Sequence, residues 1–186
     1  GKYENYQTPE RTIPEEQLTH PWESCIPLNN NWGYVPKDES KSSEQIIHSL
    51  VEIVAKGGSL LLGIGPKPDG TIRESDVVKM NEIGDWLQVN GEAIYGTRTL
   101  DAYQSGNVFF TRKESKVFAI HLFTENGASQ GKLEWMGNLP KRKAKMRLLE
   151  TGEEVSYTVK GNQVLVNLPR GFVPSVACVL TYEIQD

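Results

Sequence analysis

The sequence predicts an α+β chain of two domains, and three observations carry that prediction. The texture changes near Arg98, from helical and loop signals before it to short alternating strands punctuated by Gly, Asn and Pro after it. Residues 1–98 hold helix, buried strand, loop and helix in that order, which is an α/β arrangement. Residues 99–186 hold seven short strands, the pattern of an antiparallel β-sandwich. The expected domains are 1–98 and 99–186.

Ser42-x-x-Gln45 is a capping-box opening, and Ile46, Ile47, Leu50, Val51 and Val54 follow at helical spacing. Glu44, His48 and Glu52 fall on the opposite side. This helix is expected from Ser43 to Lys56, stopping at Gly57-Gly58. Ser59-Leu60-Leu61-Leu62-Gly63-Ile64 is apolar on both faces, as a parallel strand covered by helices is. Gly65 to Gly70 is a turn. A second helix begins near Glu74 with Val77, Met80, Ile83 and Leu87 on one stripe and ends near Asn90-Gly91. From Asn107 onward the expected strands are Val108–Arg112, Lys116–Phe123, Lys132–Met136, Lys145–Glu150, Val155–Lys160, Gln163–Leu168 and Val176–Ile184. Residues 1–98 offer only one clear parallel strand, so a sheet built from them alone is incomplete.

Composition excludes several functions. With 38% apolar and 24% charged residues, the 186-residue chain is an ordinary globular protein. Its 20 basic and 24 acidic residues give a net charge of −4, and no basic tract forms a phosphate footprint, so nucleic acid is not an expected partner. Lys141-Arg142-Lys143-Ala144-Lys145 reads as a solvated turn. No apolar segment approaches the ~20 residues that span a bilayer, and the first residues lack a signal-peptide pattern, so no membrane partner is expected. Cys25 and Cys178 fall in different domains and read as free, largely buried thiols. His20, His48 and His121 lack metal-ligand spacing. Gly63-x-Gly65 follows a strand, but Pro68 replaces the third glycine of a dinucleotide loop. No metal or cofactor is expected.

The most informative residues are Tyr6-Gln7-Thr8-Pro9-Glu10-Arg11, Pro21-Trp22-Glu23 and Asn31-Trp32-Gly33-Tyr34, which gather an acid and aromatic rings within a short span. A carboxyl that keeps its proton near neutral pH needs apolar surroundings, and a sugar needs a flat apolar surface for its C–H face, so the grouping suits sugar chemistry. These residues resemble the retaining α-L-fucosidases of glycoside hydrolase family 29. The resemblance runs in order through Lys56-Gly57-Gly58-Ser59-Leu60-Leu61-Leu62, Gly65-Pro66-Lys67-Pro68-Asp69-Gly70 and Asn90-Gly91-Glu92-Ala93-Ile94-Tyr95-Gly96-Thr97.

The resemblance implies that residues 1–98 are the carboxy-terminal portion of a (β/α)8-like barrel, with the loop after residue 64 on the face where barrel sites are built. It implies Glu10 as general acid/base and Trp32 as the ring contacting fucose, where many family members carry Phe. Trp22 and Glu23 are further substrate-binding candidates, with structural support as their alternative role. The family's nucleophile, an Asp on an earlier strand, lies upstream of Gly1. Expected partners are therefore a fucosylated glycan and the N-terminal remainder of the barrel, in a periplasmic, secreted or lysosomal setting, with the isolated chain inactive. Without the resemblance Glu10 reads as a surface glutamate after a proline. A rival reading makes the chain a non-catalytic carbohydrate-binding or scaffolding fragment that works through exposed aromatics among Tyr103, Phe109, Phe110, Phe118, Phe123, Trp135 and Tyr157.

Overall fold

The computed structural model describes residues 6–123, 131–173 and 175–184. Contacts divide the chain into two compact units, residues 1–88 and 89–186. The division falls ten residues before the expected 98/99 boundary because the segment after Asn90 bonds to strands of the second unit. Thr111 Oγ1 donates to Ala93 O at 2.7 Å, and Arg98 and Arg112 exchange backbone hydrogen bonds of 2.8 Å.

The first unit contains β1 (Glu23–Pro27), α1 (Ser43–Ala55), β2 (Ser59–Gly63) and most of α2 (Glu74–Asn90). Strands β1 and β2 are parallel, in register from Glu23 opposite Ser59 to Pro27 opposite Gly63. The other edge of β1 is occupied as well. The extended stretch 7–11 runs parallel beside it, with Glu23 N donating to Gln7 O at 2.9 Å, Cys25 N to Pro9 O at 3.0 Å and Arg11 N to Cys25 O at 2.8 Å. Thus β1, which the sequence did not disclose, is the central strand of the unit.

Helix α1 opens with both halves of its capping box. Gln45 N donates to Ser42 Oγ at 3.1 Å and Ser42 N to Gln45 Oε1 at 2.9 Å. It closes at Gly57, whose φ of +84° suits glycine. Ile46, Ile47, Val51, Ile53 and Ala55 are buried, and Trp22, Ile26 and Ile53 form a small core. Gly58 lies flat against Trp22, where a Cβ would sit 2.4 Å from the indole.

Two expectations for this unit need correction. Strand β2 is not covered on both faces: Leu61 is 45% exposed, and among the described residues β2 pairs only with β1. Helix α2 turns a different stripe inward, burying Asp76, Ile83, Trp86 and Asn90 while Val77 and Met80 are exposed. Polar anchors explain the rotation. Asp76 accepts from Asn29 Nδ2, and Lys79 Nζ donates to Ser40 Oγ, so the helix faces the loop after β1 with its polar residues.

The second unit is antiparallel throughout, with β3 (Gln104–Ser105), β4 (Val108–Lys113), β5 (Lys116–Leu122), β6 (Lys132–Met136), β7 (Met146–Leu148), β8 (Glu154–Lys160), β9 (Gln163–Asn167) and β10 (Ala177–Glu183). Their order is β3-β4-β5-β10-β7-β8-β9-β6. The sheet folds over in β8, whose start pairs with β7 and whose remainder pairs with β9. The outer strands approach each other, since Met136 N donates to Ser105 Oγ at 2.9 Å, giving a near-closed, sandwich-like domain. Its interior is packed by Phe110, Trp135, Met146, Leu148, Leu180 and Tyr182 among others. The seven expected strands are present, and β3 is added to them.

Candidate active site

Three chain segments meet at the carboxyl ends of the parallel strands: the 7–11 stretch, the loop after β1 and the loop after β2. Glycine permits the approach of the two loops. A Cβ on Gly65 would lie 2.7 Å from the backbone C of Gly33 and N of Tyr34, so the loops touch backbone to backbone. Gly63 likewise receives the Trp32 ring, which a Cβ there would meet at 2.6 Å.

The loop that carries Trp32 is fastened by polar contacts. Asn31 donates twice to Asp38 Oδ2, from its backbone N at 2.9 Å and its side chain at 3.1 Å. Arg73, just before α2, donates to the carbonyls of Val35 and Asp38, and its guanidinium lies 5.5 Å from the Tyr34 ring. Asn29 Nδ2 bonds both oxygens of buried Asp76 at 3.3 Å. Lys41 Nζ donates to Pro27 O at 2.6 Å and Asn29 O at 3.2 Å. Burial first, and the nearby Arg11 charge second, pull the Lys41 ammonium below the ordinary lysine range, with Asp38 opposing.

On this frame Trp32 Nε1 donates to Glu10 Oε1 at 2.7 Å, a short bond that joins two residues twenty-two positions apart. Arg11 completes the group. Its Nε stands 3.8 Å from Glu10 Oε1, its Nη1 donates to Asn30 O at 2.8 Å, and its guanidinium lies 5.7 Å from the Trp32 ring centroid. Arg11 also holds a φ of +58°, a left-handed conformation uncommon for a residue with a Cβ. The Glu10 side chain is 65% exposed, so the ring-lined enclosure expected for it is absent among the described residues, where the Trp32 indole bonds it.

Trp22 and Glu23 stand elsewhere. Successive strand residues face opposite ways, so Trp22 and Ile26 share the face turned toward Ile53 of α1, where Trp22 is 3% exposed and has no open surface for a sugar. It is a core tryptophan. Glu23 begins β1, at the amino end of the strand pair and away from Gly63, where it accepts from Ser59 Oγ at 3.3 Å. Cys25 is half-buried rather than buried, while Cys178 is buried; burial first and the Glu150 carboxylate second push the Cys178 thiol up to about 12. Sequence reasoning named Arg11 only as part of a motif and missed Asn29, Asp38, Lys41, Arg73 and Asp76, whose partners lie far along the chain. Among the described residues, no group of three or more His, Cys, Asp or Glu is arranged to hold a metal ion.

In the second unit Phe109, Phe110, Phe118, Phe123 and Trp135 are all buried. Asn107, His121, Glu134, Trp135, Met136 and Gln163 line a groove of about 380 Å³, where Trp135 is 2% exposed.

An acid and an indole are thus joined at the carboxyl ends of parallel strands, in a chain that continues into a near-closed antiparallel domain. The family model described as alpha-L-fucosidase matches residues 1–92. The chain is 33% identical over 189 residues to the plasma alpha-L-fucosidase of Pongo abelii, covering 93% of this chain and 39% of that protein. It is 37% identical over 136 residues to the tissue alpha-L-fucosidase of Mus musculus, covering 68% and 29%. The solved alpha-L-fucosidase isoenzyme 1 of Paenibacillus thiaminolyticus superposes with a TM-score of 0.86 at 28% identity, over 98% of this chain and 45% of that one. By these matches the chain is a relative of the α-L-fucosidases of glycoside hydrolase family 29, similar to their carboxy-terminal part. It spans about two fifths of the length of the plasma alpha-L-fucosidases it matches.

Proposed function

We propose that this chain supplies the general acid/base and part of the fucose pocket of an exo-acting, retaining α-L-fucosidase that removes terminal α-L-fucose from glycans. Glu10 is the acid/base, and the observation that carries the reading is its 2.7 Å bond to the Trp32 indole at the carboxyl ends of the parallel strands. Trp32 offers ring surface to the apolar C5-methyl end of fucose, which gains about 25 cal/mol per Å² removed from water. Trp22 supports β1 from behind. Glu23 and Ser59 lie lower on the same strand pair, on the face that a closed barrel encloses.

Retaining hydrolysis needs a second carboxyl about 5 to 5.5 Å from the first. In this reading it is an Asp on an earlier barrel strand outside this chain, and the N-terminal remainder of the barrel is the chain's obligate partner. Exposed Leu61 on β2, with its edge unpaired among the described residues, supports that view: an apolar parallel strand is stable where neighbours cover it. The same remainder encloses Glu10. The substrate reading requires neither nucleic acid nor membrane. The rival binding-module reading called for an exposed aromatic row on the second unit, and the buried rings there weigh against it.

The test is made in the enzyme carrying the complete barrel. Glu10→Ala is expected to lower kcat/KM on natural fucosylated glycans by about 10²–10⁴-fold, to spare aryl fucosides with good leaving groups in the first step, and to regain turnover with added azide, which replaces activated water. An unchanged rate on natural glycans removes Glu10 from the mechanism.

A further inference from the structure

We propose that Trp32 and Arg11 act together as positioning residues that decide which oxygen of the Glu10 carboxyl carries the catalytic proton; this deepens the fucosidase reading and rests on it. An indole N–H and a guanidinium can only donate. Both face the same oxygen, Trp32 Nε1 at 2.7 Å and Arg11 Nε at 3.8 Å from Oε1. A protonated carboxyl keeps one oxygen that only accepts and turns the other into an O–H donor. The hydroxyl oxygen of a protonated carboxyl is the poorer acceptor of the two, so a proton on Oε1 would weaken the short bond and crowd these donors. The acid proton therefore sits on Oε2, and Oε1 remains the anchored acceptor.

The assignment serves both halves of the reaction. In the first, Oε2–H protonates the glycosidic oxygen as its bond to C1 breaks and the carboxylate of an Asp outside this chain bonds to C1. In the second, Oε2 takes a proton from water whose oxygen bonds to C1, the ester to the Asp breaks, and the acid is restored. Throughout, Oε1 keeps its partners, so the carboxyl need not turn over between steps.

The indole is held so that its N–H stays aimed. Gly63 gives room for one side of the ring, and the Arg11 guanidinium stands over it. Arg11 is itself held by its bond to Asn30 O and by the backbone bond from its N to Cys25 O, in a left-handed conformation that costs energy and persists only where surrounding contacts impose it. A phenylalanine at position 32 would keep the ring and lose the donor. Trp32 is thus assigned a task beyond contact with the sugar.

The experiment compares Trp32→Phe, Arg11→Gln, Arg11→Lys and Glu10→Gln in the enzyme with the complete barrel, on a fucosyl disaccharide and on a dinitrophenyl α-L-fucoside that needs no acid. Trp32→Phe is expected to lose about tenfold to a hundredfold more in kcat/KM on the disaccharide than on the dinitrophenyl substrate, the extra loss falling chiefly in kcat, while the smaller ring's weaker contact with fucose affects both substrates alike. Arg11→Gln is expected to show the same split more weakly, with Arg11→Lys partly restored. Equal losses on the two substrates, or a change in KM alone, would make Trp32 only a wall of the pocket and overturn the proposal. If Glu10→Gln shows the split and Trp32→Phe does not, this inference fails while the fucosidase reading stands. If Glu10→Gln shows none, both fail. A second readout needs no turnover: in ¹H–¹⁵N spectra of this chain, the Trp32 indole signal, assigned by its loss in Trp32→Phe, should move upfield in Glu10→Ala. An unmoved signal overturns the proposal.

Discussion

Glu150 shows how one half-buried carboxyl tunes its surroundings. Burial raises its protonation range above the ordinary value of 4.5, with a hydrogen bond from the Asn90 side chain opposing, and its charge helps push up the neighbouring Cys178 thiol. Because the folded-state value exceeds the unfolded one, the stabilising contribution is full below about pH 4.5 and is lost as pH rises through the folded value. At pH 7 the wild-type chain therefore carries a penalty that Glu150→Gln lacks. The variant should melt at a higher temperature than wild type at pH 7, with the gap closing toward pH 4; a gap independent of pH would refute the burial argument. At the candidate site the residue types were legible in the sequence, since Glu10 and Trp32 stand in recognisable motifs. Their contact was not, because twenty-two residues separate them and only the pairing of stretch 7–11 with β1 brings them to bonding distance.

At the level of elements, the site depends on two loops meeting at glycine. Gly65→Ala places a methyl 2.7 Å from backbone atoms of Gly33 and Tyr34, which no side-chain rotation can relieve. The expected cost is about 1–3 kcal/mol, read as a lower urea midpoint, together with a displaced Trp32 indole signal. Gly33→Ala is the control: nothing lies within 4 Å of a Cβ there, and its effect should stay within about 0.5 kcal/mol. Equal effects of the two substitutions would reject the close-approach account. The same contrast explains which elements the sequence disclosed. Helix α1 announced itself by a capping box and a terminal glycine, both local signals. Strand β1, Glu-Ser-Cys-Ile-Pro, has no alternation to detect and is extended because it is bonded on both edges. Helix α2 was found but its inward stripe was not, because Asp76 and Lys79 bond the loop after β1 and outweigh the exposed Val77 and Met80.

Across the whole molecule, the two units differ in how fully they satisfy themselves. The second nearly closes its own sheet and buries Phe110, Phe118 and Trp135, whereas the first leaves Leu61 and Ile64 exposed beside an edge that pairs with nothing among the described residues. Under the proposed function, supplying the missing barrel strands in trans should therefore slow amide exchange along Ser59–Ile64 and generate fucoside hydrolysis, with none expected from this chain alone. Turnover by the isolated chain, or unaltered exchange on mixing, would contradict the proposed division of the catalytic barrel. What the sequence by itself determined was local: the caps and spacing of the helices, the strands of the second unit with their glycine turns, and the kinds of side chain gathered at the candidate site. The tertiary structure alone decided that β1 exists, that Trp22 faces the core, and that the Trp32 N–H meets Glu10 Oε1. Those outcomes arise from hydrogen bonds and packing between residues remote along the chain, and short-range periodicity carries no record of such contacts.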